Sequence, residues 1–155
     1  MDLFERNTEA LGAHAWQPIP VFIDWNIGNF SVTRELQFFS RWDYDWFRMS
    51  SRVFDFYFFS RVCSRAGDRS VFSYDLDTLL EVGFARFLAA YHEVYPITRE
   101  ELEFVPEAYR FFILNYVVKH GRYFFQDVYA SKLEREAFTR YFPQLQQGLD
   151  VERLA

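Results

Sequence analysis

Glycine, proline and cysteine are all scarce in this chain of 155 residues: 6, 5 and 1. So few glycines and prolines exclude a collagenous or low-complexity chain, and with 50% apolar residues the composition is that of a folded domain. The lone cysteine, Cys63, has no partner for an internal disulfide, so a reducing interior is its natural home. Lysine is nearly missing, with Lys119 and Lys132 set against 15 arginines. Long apolar runs are missing too: the longest are four or five residues, against the ~20 needed to cross a bilayer. A net charge of −5 offers no basic excess for a phosphate backbone, which argues against nucleic acid as a partner. No basic segment leads into an apolar one at the amino terminus, Met1-Asp2-Leu3-Phe4-Glu5-Arg6, so no secretory signal is visible. These absences together predict a cytoplasmic protein with no membrane and no nucleic-acid partner.

What the chain does have is rings: 20 Phe, 10 Tyr and 4 Trp, or 22% of all residues. A length of 155 residues suits one domain, 1–155. A domain of that size buries roughly 70% of the surface its unfolded chain exposes. Gly12, Pro18, Pro20 and Gly28 break up the first 30 positions, and between them Val21-Phe22-Ile23 is a short β-prone run ended by Asp24. It reads as one strand of a small hairpin, with residues 10–17 as its loop or partner. From Thr33 the period becomes helical. Leu36, Phe39, Trp42 or Asp43, Trp46 and Phe47 form an approximate stripe, continued by Phe54, Tyr57, Phe58, Arg61 and Val62 up to Gly67-Asp68. Leu76, Leu79, Leu80, Gly83, Phe84, Phe87, Leu88 and Tyr91 predict a second helix with Asp75 as its cap, stopped by Pro96. Thr98-Arg99-Glu100-Glu101 is a capping-box pattern, and Pro106 suits the first turn of a further helix. Residues 111–118 are apolar on nearly every side and belong inside a bundle. A last helix is expected over 123–140, ending at Pro143. The expected fold is mainly α, with a small β-hairpin near the amino terminus.

Chemistry concentrates near the start. Asp2-Leu3-Phe4-Glu5-Arg6-Asn7 has the form D-x-x-x-x-N, and Phe22-Ile23-Asp24-Trp25 places an acid at the end of a short apolar strand. Phosphoryl transfer needs such parts. One carboxylate orients the attacking hydroxyl, while an amide oxygen and a second carboxylate hold Mg²⁺ against nucleotide phosphates. Magnesium prefers the hard oxygens that Asn and Asp supply.

These two motifs resemble the catalytic loop and metal-binding Asp of the aminoglycoside phosphotransferase and choline kinase-like family, small-molecule relatives of protein kinases. The family writes them H-G-D-x-x-x-x-N and I-D-[FW]-[DE], followed by a Gly-containing turn and an Asp-Leu pair. Gly28 matches the turn, Glu35-Leu36 stands in for Asp-Leu, and Asn26 replaces the second acid. The stretch from Phe87 through Tyr91 and Pro96 to Thr98 is similar to the family's F-L-x-x-Y-x-x-x-x-P-L-[ST]. The resemblance implies the helical carboxyl-terminal lobe of a kinase-like fold. It also implies Asp2 as the catalytic acid-base group, Asn7 and Asp24 as metal ligands, and Mg²⁺ and ATP as cofactors. The substrate would be a small molecule with a hydroxyl group, held by acids of the helical lobe, for which Asp43, Asp45 and Asp55 are the candidates.

The same comparison implies an incomplete enzyme. The chain opens at Met1, directly before Asp2, without the His and Gly of the catalytic loop, and it contains no G-x-G and no lysine before Lys119. The nucleotide-gripping lobe is therefore expected to be absent, and the chain to be weak or inactive alone. The alternative is a non-catalytic helical interaction module that uses the uncovered interlobe face to bind a partner or a second copy. His14, His92 and His120 lack partners at metal-ligand spacing, and Cys63 reads as a small packed hydrophobe.

Overall fold

The computed structural model describes residues 2–66, 73–148 and 150. The chain is mainly helical, with two small antiparallel ribbons in its first third. Helix α1 (Asp2–Ala10) leads into a 3₁₀ turn at Ala13–Ala15 and then β1 (Ile19–Val21). Strands β2 (Phe30–Val32) and β3 (Phe38–Arg41) form a hairpin, followed by β4 (Arg48–Ser50). The remainder is helical: α2 (Val53–Cys63), a 3₁₀ turn (Leu76–Leu80), α3 (Val82–Val94) and α4 (Arg99–Phe112). A π-helical segment (Ile113–Lys119) follows, then α5 (Gly121–Phe124) and α6 (Asp127–Glu136). A second π segment (Ala137–Tyr141) runs into α7 (Phe142–Gln146). No helix among the described residues is long and apolar enough to cross a membrane.

Several local expectations are corrected. The partner of β1 is β4, with Ile19 opposite Ser50, and not the stretch 10–17, which closes α1 and forms a 3₁₀ turn. The helical stripe expected from Thr33 to Phe47 is instead the turn and second strand of the β2–β3 hairpin, followed by the loop that leads into β4. Its apolar residues are mostly aromatic and suit a pleated surface, and pairing of β3 with the neighbouring β2 overrides their spacing. The turn is set locally: Leu36 takes a left-handed φ of 60°, and its amide donates to the Thr33 carbonyl at 3.0 Å. Pro106 does not open a helix but lies inside α4. Likewise Pro143 sits in the first turn of α7, which continues the helical path past 140. Gly67-Asp68, the expected end of α2, lies outside the described residues.

The capping box is formed as the sequence predicts. The Glu101 amide donates to Thr98 Oγ1 at 3.3 Å and the Thr98 amide to Glu101 Oε2 at 2.9 Å. Glu101 also receives Arg52, whose Nε and one terminal nitrogen reach its two oxygens at 2.7 Å each. Burial pushes the Glu101 carboxyl up, yet Arg52 and the Thr98 amide outweigh it and hold it below its ordinary value. Arg52 further donates to the carbonyls of Tyr95 and Pro96, so one guanidinium locks the α3–α4 turn to the start of α2. The core runs from Val21 to Leu145, with Phe56, Phe84, Tyr109 and Tyr141 fully buried. Each such side chain contributes about 1.5–3 kcal/mol. Two buried tyrosines bond the same residue: Tyr109 donates to the Tyr74 carbonyl, and Tyr141 receives the Tyr74 amide at 3.1 Å, whereas the buried Tyr116 hydroxyl has no partner among the described residues.

Candidate functional site

The end of β1 turns sharply. Ile23 adopts a left-handed φ of 62°, uncommon for a β-branched residue, and the Asp24 and Trp25 amides bond carbonyls only two residues back. What holds this turn is Asp55, in the first turn of α2. Its Oδ1 accepts the amides of Phe22 at 3.0 Å and Ile23 at 2.6 Å. Burial pushes the Asp55 carboxyl above its ordinary value, against the opposing effect of those amides. Asp55 was expected among the substrate acids. It is buried, is not among the residues lining the cavity described next, and its role here is to hold the strand end.

The turn delivers Asp24 to a cavity of about 460 Å³. Asp43 and Asp45 line the same cavity, with Trp46, Tyr74 and Phe125 among its aromatic walls. Each oxygen of Asp24 accepts one side-chain amide, Oδ1 from Asn26 and Oδ2 from Asn29 at 3.2 Å. Burial pushes the Asp24 carboxyl up, and repulsion from Asp43 adds to it; the Asn26 amide, Arg41 and Arg61 pull the other way. Among the described residues neither Asp24 nor Asp43 is in an ion pair. The aromatic wall is rigid: Trp46 stacks on Tyr116 at 4.2 Å and meets Phe124 at 5.0 Å.

Arg41, at the end of β3, shapes this end of the cavity. One terminal nitrogen donates to the Asp24 carbonyl at 3.1 Å and the other to the Asp43 carbonyl at 3.0 Å. Its guanidinium lies over the rings of Phe22 (4.3 Å), Trp25 (4.7 Å) and Tyr44 (5.3 Å).

Of the six residues expected at the site, three meet here: Asp24, Asp43 and Asp45. Asn7 does not line this cavity. Its amide donates to Glu107 Oε1 at 2.7 Å, and Glu107 is also paired with Arg110 at 2.9 Å, so Asn7 ties α1 to α4. Asp2 opens α1, and its side chain lies outside the described residues. Sequence reasoning missed Arg41, Asn26 and Asn29 as contributors. Asn26 was noted only as a departure from the resembling motif, and Arg41 carries no local signal because its two carbonyl partners come from separate loops.

The donor set fits a hard divalent cation. Three carboxylates, Asp24, Asp43 and Asp45, line one cavity, with Arg61 as the one cationic side chain among the described residues that line it. Burial and repulsion from Asp43 still disfavour the ionised form of Asp24, and a bound cation would relieve both. No three His, Cys, Asp or Glu side chains among the described residues form a cage. Magnesium at nucleotide sites instead commonly uses one or two carboxylates together with phosphate oxygens. A larger cavity of about 640 Å³ lies near Trp16, Tyr91 and Tyr95, but its one carboxylate, Glu101, is already engaged by Arg52. No protein-family model, curated protein or solved structure matches this chain, and the arrangement around Asp24 stands on its own geometry.

Proposed function

We propose that this chain carries the metal- and acceptor-binding part of an ATP- and Mg²⁺-dependent phosphotransferase acting on a small-molecule hydroxyl. The observation that supports it is the meeting of Asp24 and Asp43 at one cavity, with Asp24 presented by a strained turn at a strand end. In this reading Asp24 holds the metal with Asp43 beside it, and Asp45 faces the acceptor. Asp2 takes the proton of the attacking hydroxyl. The bound nucleotide supplies the phosphoryl group, and the metal neutralises charge developing on it. Asn7, engaged by Glu107, is not given a ligand role. The 155 residues hold no G-x-G and no lysine before Lys119, so the chain is assigned weak or no turnover by itself.

Two measurements test this. Millimolar Mg²⁺ should raise the melting temperature of the wild-type chain and leave Asp24→Ala unmoved, as binding to the native state alone requires. Equal responses would remove the metal assignment. Mg²⁺-dependent ATP turnover by the isolated chain should stay at background. Turnover lost in Asp24→Ala would overturn the assignment of weak activity while supporting the chemistry.

A second reading has its own observation. Leu36, Phe38, Phe39 and Met49 are exposed apolar residues on or beside the two ribbons. A non-catalytic interaction module, docking a partner or a second copy through that face, would account for them.

A further inference from the structure

We infer that Arg41 is the positioning residue that brings Asp24 and Asp43 to one cavity and thereby sets its affinity for a divalent cation. The inference rests on the reading of Asp24 as a cation-binding carboxylate and adds what makes that reading geometrically possible.

Asp24 and Asp43 are separated by a whole hairpin, β2 to β3, and nothing in their local sequence brings them together. Both stand at backbone positions that resist a regular path: Ile23, just before Asp24, has φ 62°, and Asp43 itself has φ 66°. Left-handed conformations at non-glycine residues persist only where the surroundings over-determine them. Asp55 holds Ile23 through the Phe22 and Ile23 amides, and Arg41 adds the constraint that ties the residue after Ile23, Asp24, to Asp43. The two terminal nitrogens of Arg41 donate to the Asp24 and Asp43 carbonyls, so a single planar group spans the two loops. The strand fixes the group from one side, and three rings, Phe22, Trp25 and Tyr44, bracket the guanidinium.

The choice of atoms matters. Arg41 bonds the carbonyl oxygens of both aspartates and not their carboxylates, so it aligns the two residues through their main chain and leaves the carboxylate oxygens to other donors. An arginine placed to neutralise the pair would have bonded the carboxylates bidentately, the usual geometry for that purpose. The carboxylates are left to the Asn26 and Asn29 amides and to the cavity. Lysine cannot do the same: its ammonium is a point charge without the rigid fork that spans two carbonyls. Charge and span can therefore be separated experimentally.

The test is Mn²⁺ binding, read by electron paramagnetic resonance with Mg²⁺ as competitor, on the full chain and its Arg41→Lys, Arg41→Met and Asp24→Asn variants. Far-UV circular dichroism and melting curves report folding alongside. The expected result is Mn²⁺ binding by wild type that is lost in Asp24→Asn. Binding should weaken about 10- to 100-fold in both Arg41 variants, the usual cost of removing a group that orients a ligand. The lysine variant keeps both the charge and the alkyl stem, so a folded Arg41→Lys chain with weakened binding isolates the span. If Asp24→Asn abolishes binding while Arg41→Lys and Arg41→Met bind as tightly as wild type, the role given to Arg41 is wrong and the cation reading stands. If wild type fails to bind, or binding survives Asp24→Asn, the cation reading falls and takes the role of Arg41 with it.

Discussion

In the proposed reading Asp24 bears two opposed demands, to be charged for chemistry and to be half-buried for placement. Burial first, and Asp43 second, raise its pKa in the folded chain above the unfolded value, so the folded state binds that proton more tightly. Its ionised form therefore costs stability at pH values above the folded pKa, and the cost disappears as pH falls through it. Asp24→Asn is neutral at every pH. It should melt about 2–4 °C above wild type at pH 7, with the gain fading as pH approaches the ordinary carboxylate range near ~4. Melting curves at pH 7, 6, 5 and 4 check this, and a gain of the same size at pH 4 would refute it. Asp24 stood out in the sequence as an acid after a short apolar run, although the strand is Ile19–Val21 and Phe22 and Ile23 belong to the turn beyond it. The roles of Asp55 and Arg41 were not legible there, because each acts on backbone groups far away in sequence: Asp55 on Phe22 and Ile23, Arg41 on Asp24.

At the scale of elements, the Thr98–Glu101 box was readable, whereas Asp75, Pro106 and Pro143 did not mark the helix boundaries expected of them and the strand pairings were not anticipated. Thr98 and Glu101 lie three residues apart, so their reciprocal bonds could be anticipated from spacing alone. By contrast, β1 and β4 meet across more than twenty intervening positions, and the stripe from Leu36 to Phe47 fits either period until the β2–β3 pairing is known. Gly83 shows how tightly the helices then pack. It lies in the first turn of α3 where α2 ends, and a Cβ there would run into the carbonyl oxygen of Cys63. That oxygen is main chain and cannot swing aside. Gly83→Ala should therefore destabilise the fold by about 1–3 kcal/mol despite its better helix propensity. Urea unfolding measures the difference, and a variant as stable as wild type would show that α2 and α3 can move apart freely.

The whole molecule is unevenly finished. Its helical part encloses a continuous core, whereas the ribbons present Leu36 at 82% and Phe39 at 73% exposure. Two-stranded ribbons are marginal alone, so this end of the molecule is where a covering partner would act. If a second copy covers it, size-exclusion chromatography should show a concentration-dependent dimer that Leu36→Glu with Phe39→Glu converts to monomer. A wild-type monomer at high micromolar concentration would disfavour the self-associating version of the interaction-module reading. The mainly helical character with a small hairpin was visible in the sequence. Which face stays open was not, since that depends on the ribbon arrangement that the helical stripe concealed.

The wide turns of the segment Ile113–Lys119 carry a consequence of another kind. A π-helical stretch holds one residue more than an α-helix would spend on the same path, so it carries slack that an α-helix lacks. Removing one position tightens the wide turns to α and keeps the path, whereas an insertion advances everything beyond by ~100° about the helix axis. Phe124 and Phe125, which wall the Asp24 cavity from the far side of that segment, would then swing off it. One change of length is therefore absorbed here and the opposite one is not.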